Sequence, residues 1–290
     1  MITAAAAGAD ESPLAIICGG GSLPFAVAET VRKQGREVVL FPLRETADSQ
    51  RLAAFRHHWV RMGQLGRFCR LARQEGCREV VLIGAVTRPG LWQLRPDASA
   101  LLMLPRIVKF FRGGDNHLLS HVAALLSEQG FRLLGAHEVA PEILMPEGAL
   151  GARQPTPDQY QDIEYGLDFL QAIGPFDVGQ GVVVTGRHII AVEGVEGTDA
   201  MLDRVADLRA GGRLRSSGGV LVKAPKPAQD RRIDLPTIGP QTVERTARAG
   251  LSGIAVVAGS TIVAEAERVG EAADAAKIFA VGMRDQRNTP

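Results

Sequence analysis

Leu14-Ala-Ile-Ile-Cys-Gly-Gly-Gly-Ser-Leu-Pro24 decides how the first half of this chain is read. An apolar run bounded by turn residues predicts a short buried strand, Leu14–Cys18. Gly19-Gly-Gly-Ser-Leu-Pro24 then follows the strand and opens a helix expected over Leu23–Gln34. Glycines let backbone N–H groups approach a phosphate, and a helix N-terminus adds partial positive charge. The dinucleotide fingerprint wants Gly where Pro24 stands. The second strand ends in Phe41-Pro-Leu-Arg44, with Glu45 beyond, and supplies no clear ribose-binding acid. The segment therefore points to phosphate or nucleotide binding rather than to NAD. The plainer alternative is a tight turn between strand and helix.

The same alternation continues along the chain. Strands are expected over Glu37–Phe41, His57–Val60, Glu79–Ile83 and Phe131–Gly135. Helices are expected over Leu65–Glu75 and Asp115–Gln129, the latter with apolar positions Leu118, Leu119, Val122, Leu125 and Leu126. Strands separated by helices imply parallel pairing through right-handed crossovers. The expected fold class is α/β, with a Rossmann-like, doubly wound parallel-sheet domain over residues 1–140. Its ligand edge would carry Gly19–Ser22, Gly84–Arg88 and His137–Glu138. Residues 141–157, rich in Pro and Gly, read as a linker.

Residues 158–290 are expected to form a mixed α+β domain. Gly181-Val-Val-Val-Thr-Gly-Arg-His-Ile-Ile-Ala-Val-Glu193 reads as a hairpin around Thr185-Gly186. Gly253-Ile-Ala-Val-Val-Ala-Gly-Ser-Thr-Ile-Val-Ala-Glu265 reads as a second, around Gly259-Ser260. Each leads into a helix, Asp199–Leu208 or Glu267–Ala276, which suggests a degenerate repeat.

Composition narrows the function classes. The chain has 290 residues, 46% hydrophobic and 22% charged, as an ordinary globular protein does. A net charge of +1 supplies no broad positive field, and 5% aromatics supply no base-stacking platform, so nucleic acid is not an expected partner. Three cysteines, Cys18, Cys69 and Cys77, lack C-x-x-C spacing and suggest neither disulfides nor zinc. Met1–Glu11 lacks a basic n-region and reads as a frayed tail. No apolar run approaches the ~20 residues of a membrane span. A cytoplasmic location is expected, with peripheral contact at the inner membrane left open.

The chemistry is expected to centre on Lys223-Ala-Pro-Lys-Pro-Ala-Gln-Asp-Arg-Arg-Ile-Asp-Leu-Pro-Thr-Ile-Gly239. Gly219-Val-Leu-Val222 before it reads as a buried strand, and Pro240–Ala249 after it as a helix. The connector holds Lys223, Lys226, Arg231, Arg232, Asp230 and Asp234, stiffened by Pro225, Pro227 and Pro236. Proline lowers the entropy cost of holding a loop in one shape. A rigid, mixed-charge loop after a strand suits an anionic, metal-bound substrate. The alternative is a solvated surface loop.

Glu193-Gly-Val-Glu-Gly-Thr-Asp-Ala-Met201 puts three carboxylates at a helix start. Thr198 or Asp199 would cap that helix, or Glu196 or Asp199 would hold Mg²⁺, which needs few carboxylates beside phosphate oxygens. Asp115 in Gly114-Asp-Asn-His117 reads as an N-cap, and His137-Glu138 as a pair behind the ligand edge. No G-x-S-x-G, H-E-x-x-H or G-x-x-x-x-G-K-[ST] motif is present. The residues alone describe a two-domain, Mg²⁺-dependent enzyme acting on a phosphate-rich ligand. An NAD(P)-dependent oxidoreductase and a non-catalytic nucleotide-sugar or lipid sensor are the competing classes.

Taken in order, Gly19-Gly-Gly-Ser-Leu-Pro24, Arg112-Gly-Gly-Asp115, Gly135-Ala-His-Glu138, Asp177-Val-Gly-Gln-Gly181, Glu196-Gly-Thr-Asp-Ala-Met-Leu202, Lys223-Ala-Pro-Lys-Pro227 and Asp234-Leu-Pro-Thr-Ile-Gly239 resemble the UDP-2,3-diacylglucosamine diphosphatases of the LpxI type. The resemblance implies a Mg²⁺-dependent hydrolase of lipid A biosynthesis. Its products would be UMP and 2,3-diacylglucosamine 1-phosphate (lipid X), from water attack at the β-phosphorus. It also implies an essential, metal-associated Asp234. The expected catalytic residues are Asp234, Lys223 and Lys226. The expected substrate-binding residues are Gly20, Gly21, Ser22, Leu23, Arg88, Gln180 and Thr198, and the expected metal ligands Asp234 and Asp199. A membrane surface would be met only through the lipid substrate, and a homodimer is left open.

Overall fold

The computed structural model describes residues 12–44, 51–86, 115–227 and 230–284. The chain divides into two compact units, Met1–Ala140 and Pro141–Pro290.

In the first unit, β1 (Leu14–Cys18), β2 (Val38–Pro42), β3 (Glu79–Ile83) and β4 (Arg132–Leu134) form a four-stranded sheet in the order β2-β1-β3-β4. All neighbours are parallel, with Leu14 opposite both Val38 and Glu79. Helices α1 (Leu23–Lys33), α2 (Leu65–Gln74) and α3 (Asp115–Glu128) lie between the strands in sequence. The chain steps from β1 to β2 and then back across β1 to β3. Right-handed crossovers in opposite directions put α1 and α2 on opposite faces, which is double winding. The carboxyl ends of β1 and β3 flank the reversal.

Two local expectations change. His57–Val60 forms no strand; His57 and Val60 make single parallel bridges to Leu40 and Leu43. His58 between them turns its ring to Glu75, with Nε2 2.6 Å from Oε1. His137-Glu138 belongs to a short helix, α4 (Ala136–Val139), whose Glu138 accepts the Gly135 amide at 2.7 Å. That carboxylate caps the start of the helix.

The stretch expected as a linker is built into the second unit. Met145 is buried, and β5 (Gly148–Ala149) pairs antiparallel with β12 (Phe279–Met283). Thr156 and Gln159 exchange backbone and side-chain hydrogen bonds that start α5 (Pro157–Ile173), with Pro157 in its first turn.

The second unit's main sheet has the order β5-β12-β10-β8-β6-β7. Its central strands β8 (Val220–Lys223), β10 (Gly253–Val257) and β12 are parallel. Strand β6 (Gly181–Thr185) runs antiparallel to β8 and to β7 (His188–Val192). One face packs Val182, Val184, Val220 and Val222 against Ile163, Leu167 and Leu170 of α5. The other packs Val183, Leu221, Ile254 and Val256 against α6 (Gly197–Ala210), α7 (Pro240–Arg248) and α8 (Ala266–Ala276). Alternation along each strand divides the two cores.

The first expected hairpin forms, with its turn at Gly186-Arg187, whose amides Asp162 accepts at 3.0 and 2.6 Å. The second does not. Both edges of β10 are taken by β8 and β12, so β11 (Ile262–Val263) pairs instead with β9 (Thr237–Ile238). The suggested repeat therefore has no structural counterpart.

Candidate active site

Lys223 ends β8 and shares a face with Leu221, the face covered by α6 to α8. It is 6% exposed, which is unusual for lysine. Its ammonium donates to Thr198 Oγ1 at 2.8 Å and to the Thr237 carbonyl at 3.2 Å. Thr198 lies in the first turn of α6 and donates in turn to Glu193 Oε1 at 3.0 Å. An ammonium only donates and a carboxylate only accepts. The threonine hydroxyl is thus fixed in direction, its lone pair toward Lys223 and its proton toward Glu193. Burial lowers the lysine's pKa, and the negative charges of Glu193, Asp234 and Asp199 oppose that shift.

Strand register explains why these groups meet. Gly181 of β6 stands opposite Lys223 of β8, and the Glu193 amide donates to the Gly181 carbonyl at 2.9 Å. Glu193, Gly181 and Lys223 therefore form one cross-sheet row with a glycine in the middle. A Cβ on Gly181 would lie 2.6 Å from Glu193 Oε2, and one on Gly179 would overlap the Glu193 carbonyl oxygen. The two glycines of Gly179-Gln-Gly181 make the bed on which Glu193 lies. Its Oε2 is buried there without a hydrogen-bond partner.

Gln180, between those glycines, donates through Nε2 to Asp234 Oδ2 at 3.0 Å. The connector after β8 starts beside it, since the Ala224 amide donates to the Gln180 carbonyl at 3.0 Å. Within that connector Arg232 pairs with Asp230 at 2.7 Å. Arg231 donates to the Gly259 carbonyl and Ser260 Oγ at 2.8 and 2.7 Å, tying the loop to the turn after β10. The charges are therefore organised, not merely solvated. Lys226 pairs with Asp177 at 2.5 Å. Phe176 and Val178 flank Asp177 and are exposed, as is Val195.

The structure thus brings together Lys223, Thr198, Gln180 and Asp234 from the expected set, with Lys226 held by Asp177. Asp199 is half exposed, its Oδ2 3.4 Å from Arg245 Nε. Glu196, the other carboxylate considered for metal, pairs with Arg204 at 2.9 Å. Glu193, the Thr237 carbonyl and Asp177 carry parts of the network that residue types did not single out.

Gly20, Gly21, Ser22 and Leu23 lie in the first unit, at the carboxyl end of β1. The Gly20 amide is committed to the Ala85 carbonyl at 2.7 Å, and the Ala85 amide returns a bond to Gly20 at 2.9 Å. A Cβ on Gly19 would sit 2.6 Å from the Ala85 oxygen, and one on Gly84 2.8 Å from the Gly19 carbonyl carbon. Glycine here lets two strand ends touch, and one amide expected for phosphate is spent. Gly21 is exposed with φ +90°. Arg88, Glu45 and Arg112–Gly114 lie outside the described residues, as does the side chain of Asp115.

The fold and site define a two-unit α/β protein with a lysine–carboxylate cluster at the carboxyl edge of parallel strands. The LpxI N-terminal domain family matches residues 13–143, and the LpxI C-terminal domain family matches residues 146–281. A curated relative from Caulobacter vibrioides (strain ATCC 19089 / CIP 103742 / CB 15), UDP-2,3-diacylglucosamine pyrophosphatase LpxI, is 43% identical over 275 residues, covering 94% of this chain and 98% of the relative. The chain belongs to the LpxI family, as its ordered motifs led us to expect.

Proposed function

We propose that this protein hydrolyses the diphosphate of UDP-2,3-diacylglucosamine, giving UMP and 2,3-diacylglucosamine 1-phosphate (lipid X), a step of lipid A biosynthesis. The near full-length likeness to a relative bearing that activity in its name carries the reading. The cluster around Lys223 supplies chemistry that suits it.

A diphosphate brings concentrated negative charge, and a desolvated ammonium stabilises such charge better than an exposed one. Lys223 would face developing charge with the N–H that Thr198 and Thr237 do not engage. Lys226 would meet the phosphates once they displace Asp177. Gln180 holds Asp234 in place.

Mg²⁺ is part of the proposal. Among the described residues no group of three His, Cys, Asp or Glu is placed to hold a metal. Magnesium is commonly bound through one or two carboxylates, with phosphate oxygens and water completing its shell. Asp234 fits that donor set, and Asp199, whose Oδ2 lies 3.4 Å from Arg245 Nε, would share its carboxylate with that arginine if it joined. When bound, the cation would neutralise the diphosphate and lower the pKa of a coordinated water.

Among the described residues no helix is long and apolar enough to cross a membrane. We propose a cytoplasmic protein that meets the inner membrane through its lipid substrate, with exposed Phe176, Val178 and Val195 beside the site suited to apolar contact.

The test is product analysis with purified protein and UDP-2,3-diacylglucosamine, with Mg²⁺ or with EDTA, in H₂¹⁸O. UMP and label in the diacylglucosamine phosphate are expected, only with Mg²⁺. Label in UMP would place attack at the α-phosphorus instead. Absence of UMP would overturn the reading.

A further inference from the structure

We infer that Glu193 is a positioning residue of this site: it holds the Lys223 ammonium through Thr198, and position 181 is glycine so that the Glu193 carboxylate can reach that chain. The inference rests on the proposed hydrolysis for its kinetic consequences, but its geometry stands apart from any substrate.

Lys223 and Glu193 come from strand positions on either side of β6. Any side chain between them would keep them apart. Gly181 leaves that space, and Glu193 Oε2 lies only 2.6 Å from where a Cβ would be. Oε1 accepts from Thr198, which accepts from Lys223. Each link has one possible polarity, so the chain orients the ammonium instead of merely attracting it. An unpartnered, buried carboxylate oxygen is costly to keep, which an exposed glutamate would avoid. Thr198, expected to bind substrate, becomes the middle link, and the substrate-facing atom is Lys223 Nζ.

Gly181→Ala supplies a selective probe. Its new methyl meets the far end of the flexible Glu193 side chain, with the next Glu193 atoms 3.6 and 3.7 Å away. The variant should fold and displace only the carboxylate. Glu193→Ala, Thr198→Val and Gly181→Ala should each lower kcat about ten-fold or more while KM changes less than about two-fold. Thr198→Ser, which keeps the hydroxyl, should recover most of the loss seen with Thr198→Val. Glu193→Ala combined with Thr198→Val should be no worse than the more damaging single variant, because both break one chain.

A second readout needs no substrate. The chain has five lysines, Lys33, Lys109, Lys223, Lys226 and Lys277. Reductive methylation followed by mass spectrometry should label Lys223 slowly in the parent protein. It should label Lys223 faster in Gly181→Ala and Glu193→Ala, with Lys33 and Lys277 unchanged as references. Faster labelling in a protein that makes no UMP would uphold this inference and retire the proposed activity. Parent-like kcat in Gly181→Ala and Glu193→Ala, or unchanged Lys223 labelling in both, would overturn it.

Discussion

Replacing Asp234 with Asn should separate its charge from its hydrogen bond. Asp234 Oδ2 accepts from Gln180 Nε2 at 3.0 Å in a part-buried setting. Asn offers an amide oxygen at the same place, so Gln180 keeps an acceptor. Ala removes it and leaves a part-buried amide without that partner. A hydrogen bond to a charged group contributes about 1.5–3 kcal/mol, which sets the stability cost of Asp234→Ala. Each kcal/mol shifts Tm by ~2–4 °C in a domain of this size, so the alanine variant should melt several degrees below the asparagine variant, which keeps an acceptor for Gln180 and shares with alanine only the loss of the charge that favours the Lys223 ammonium. Activity should not follow that order. If Asp234 acts through its charge, both variants should lose about three orders of magnitude in kcat, a barrier rise of ~4 kcal/mol. The assay is UMP release under saturating substrate, beside melting curves of each variant. An asparagine variant keeping more than about a tenth of parental kcat, a barrier change under ~1.4 kcal/mol, would refute the argument.

Three further outcomes are expected. Burial lowers the Lys223 pKa, so its folding penalty is full below the folded pKa and fades as pH rises toward the unfolded value. Denaturant melts of the parent and Lys223→Met should therefore show the parent gaining relative stability from neutral to alkaline pH, and a pH-independent difference would contradict this. Burial pushes the thiol of Cys18 up to about 12 and that of Cys77 up to about 11, and Cys69 is also buried, so the native protein should resist thiol reagents until denaturant exposes the three groups. Gly19→Ala presses a methyl onto backbone and should cost ~1–3 kcal/mol. Gly21→Ala meets open space and should cost only the strain of its positive φ, about 1–2 kcal/mol, and a Gly19→Ala variant as stable as the parent would argue against the close contact at Gly84 and Ala85.

How much was legible follows from which interactions are local. Strands β1 and β3 and the starts of α1 and α2 match their apolar runs and turn residues, because burial periodicity and turn chemistry act on consecutive residues. The run Gly253–Glu265 had the pattern of a hairpin, but its first strand lies in the middle of a parallel sheet, and strand order is set by distant partners. Lys223 and Asp234 stood out because proline and charge concentrate around them. Glu193 did not, and the reason is a single residue in β7. Thr185 pairs with His188 and Val184 with Ile189, but Val183 pairs with Ala191, so the register shifts between Val183 and Val184. Counting back from the turn without that shift sets Val192 opposite Gly181 and sends Glu193 to the other face. One extra residue in a strand reverses the side on which every later side chain lies. The shift is what aligns a carboxylate, a glycine and a lysine in one row across three strands. The site therefore depends on an irregularity that hydrophobic alternation, all apolar from Val182 to Val184 and from Ile189 to Val192, has no means to mark.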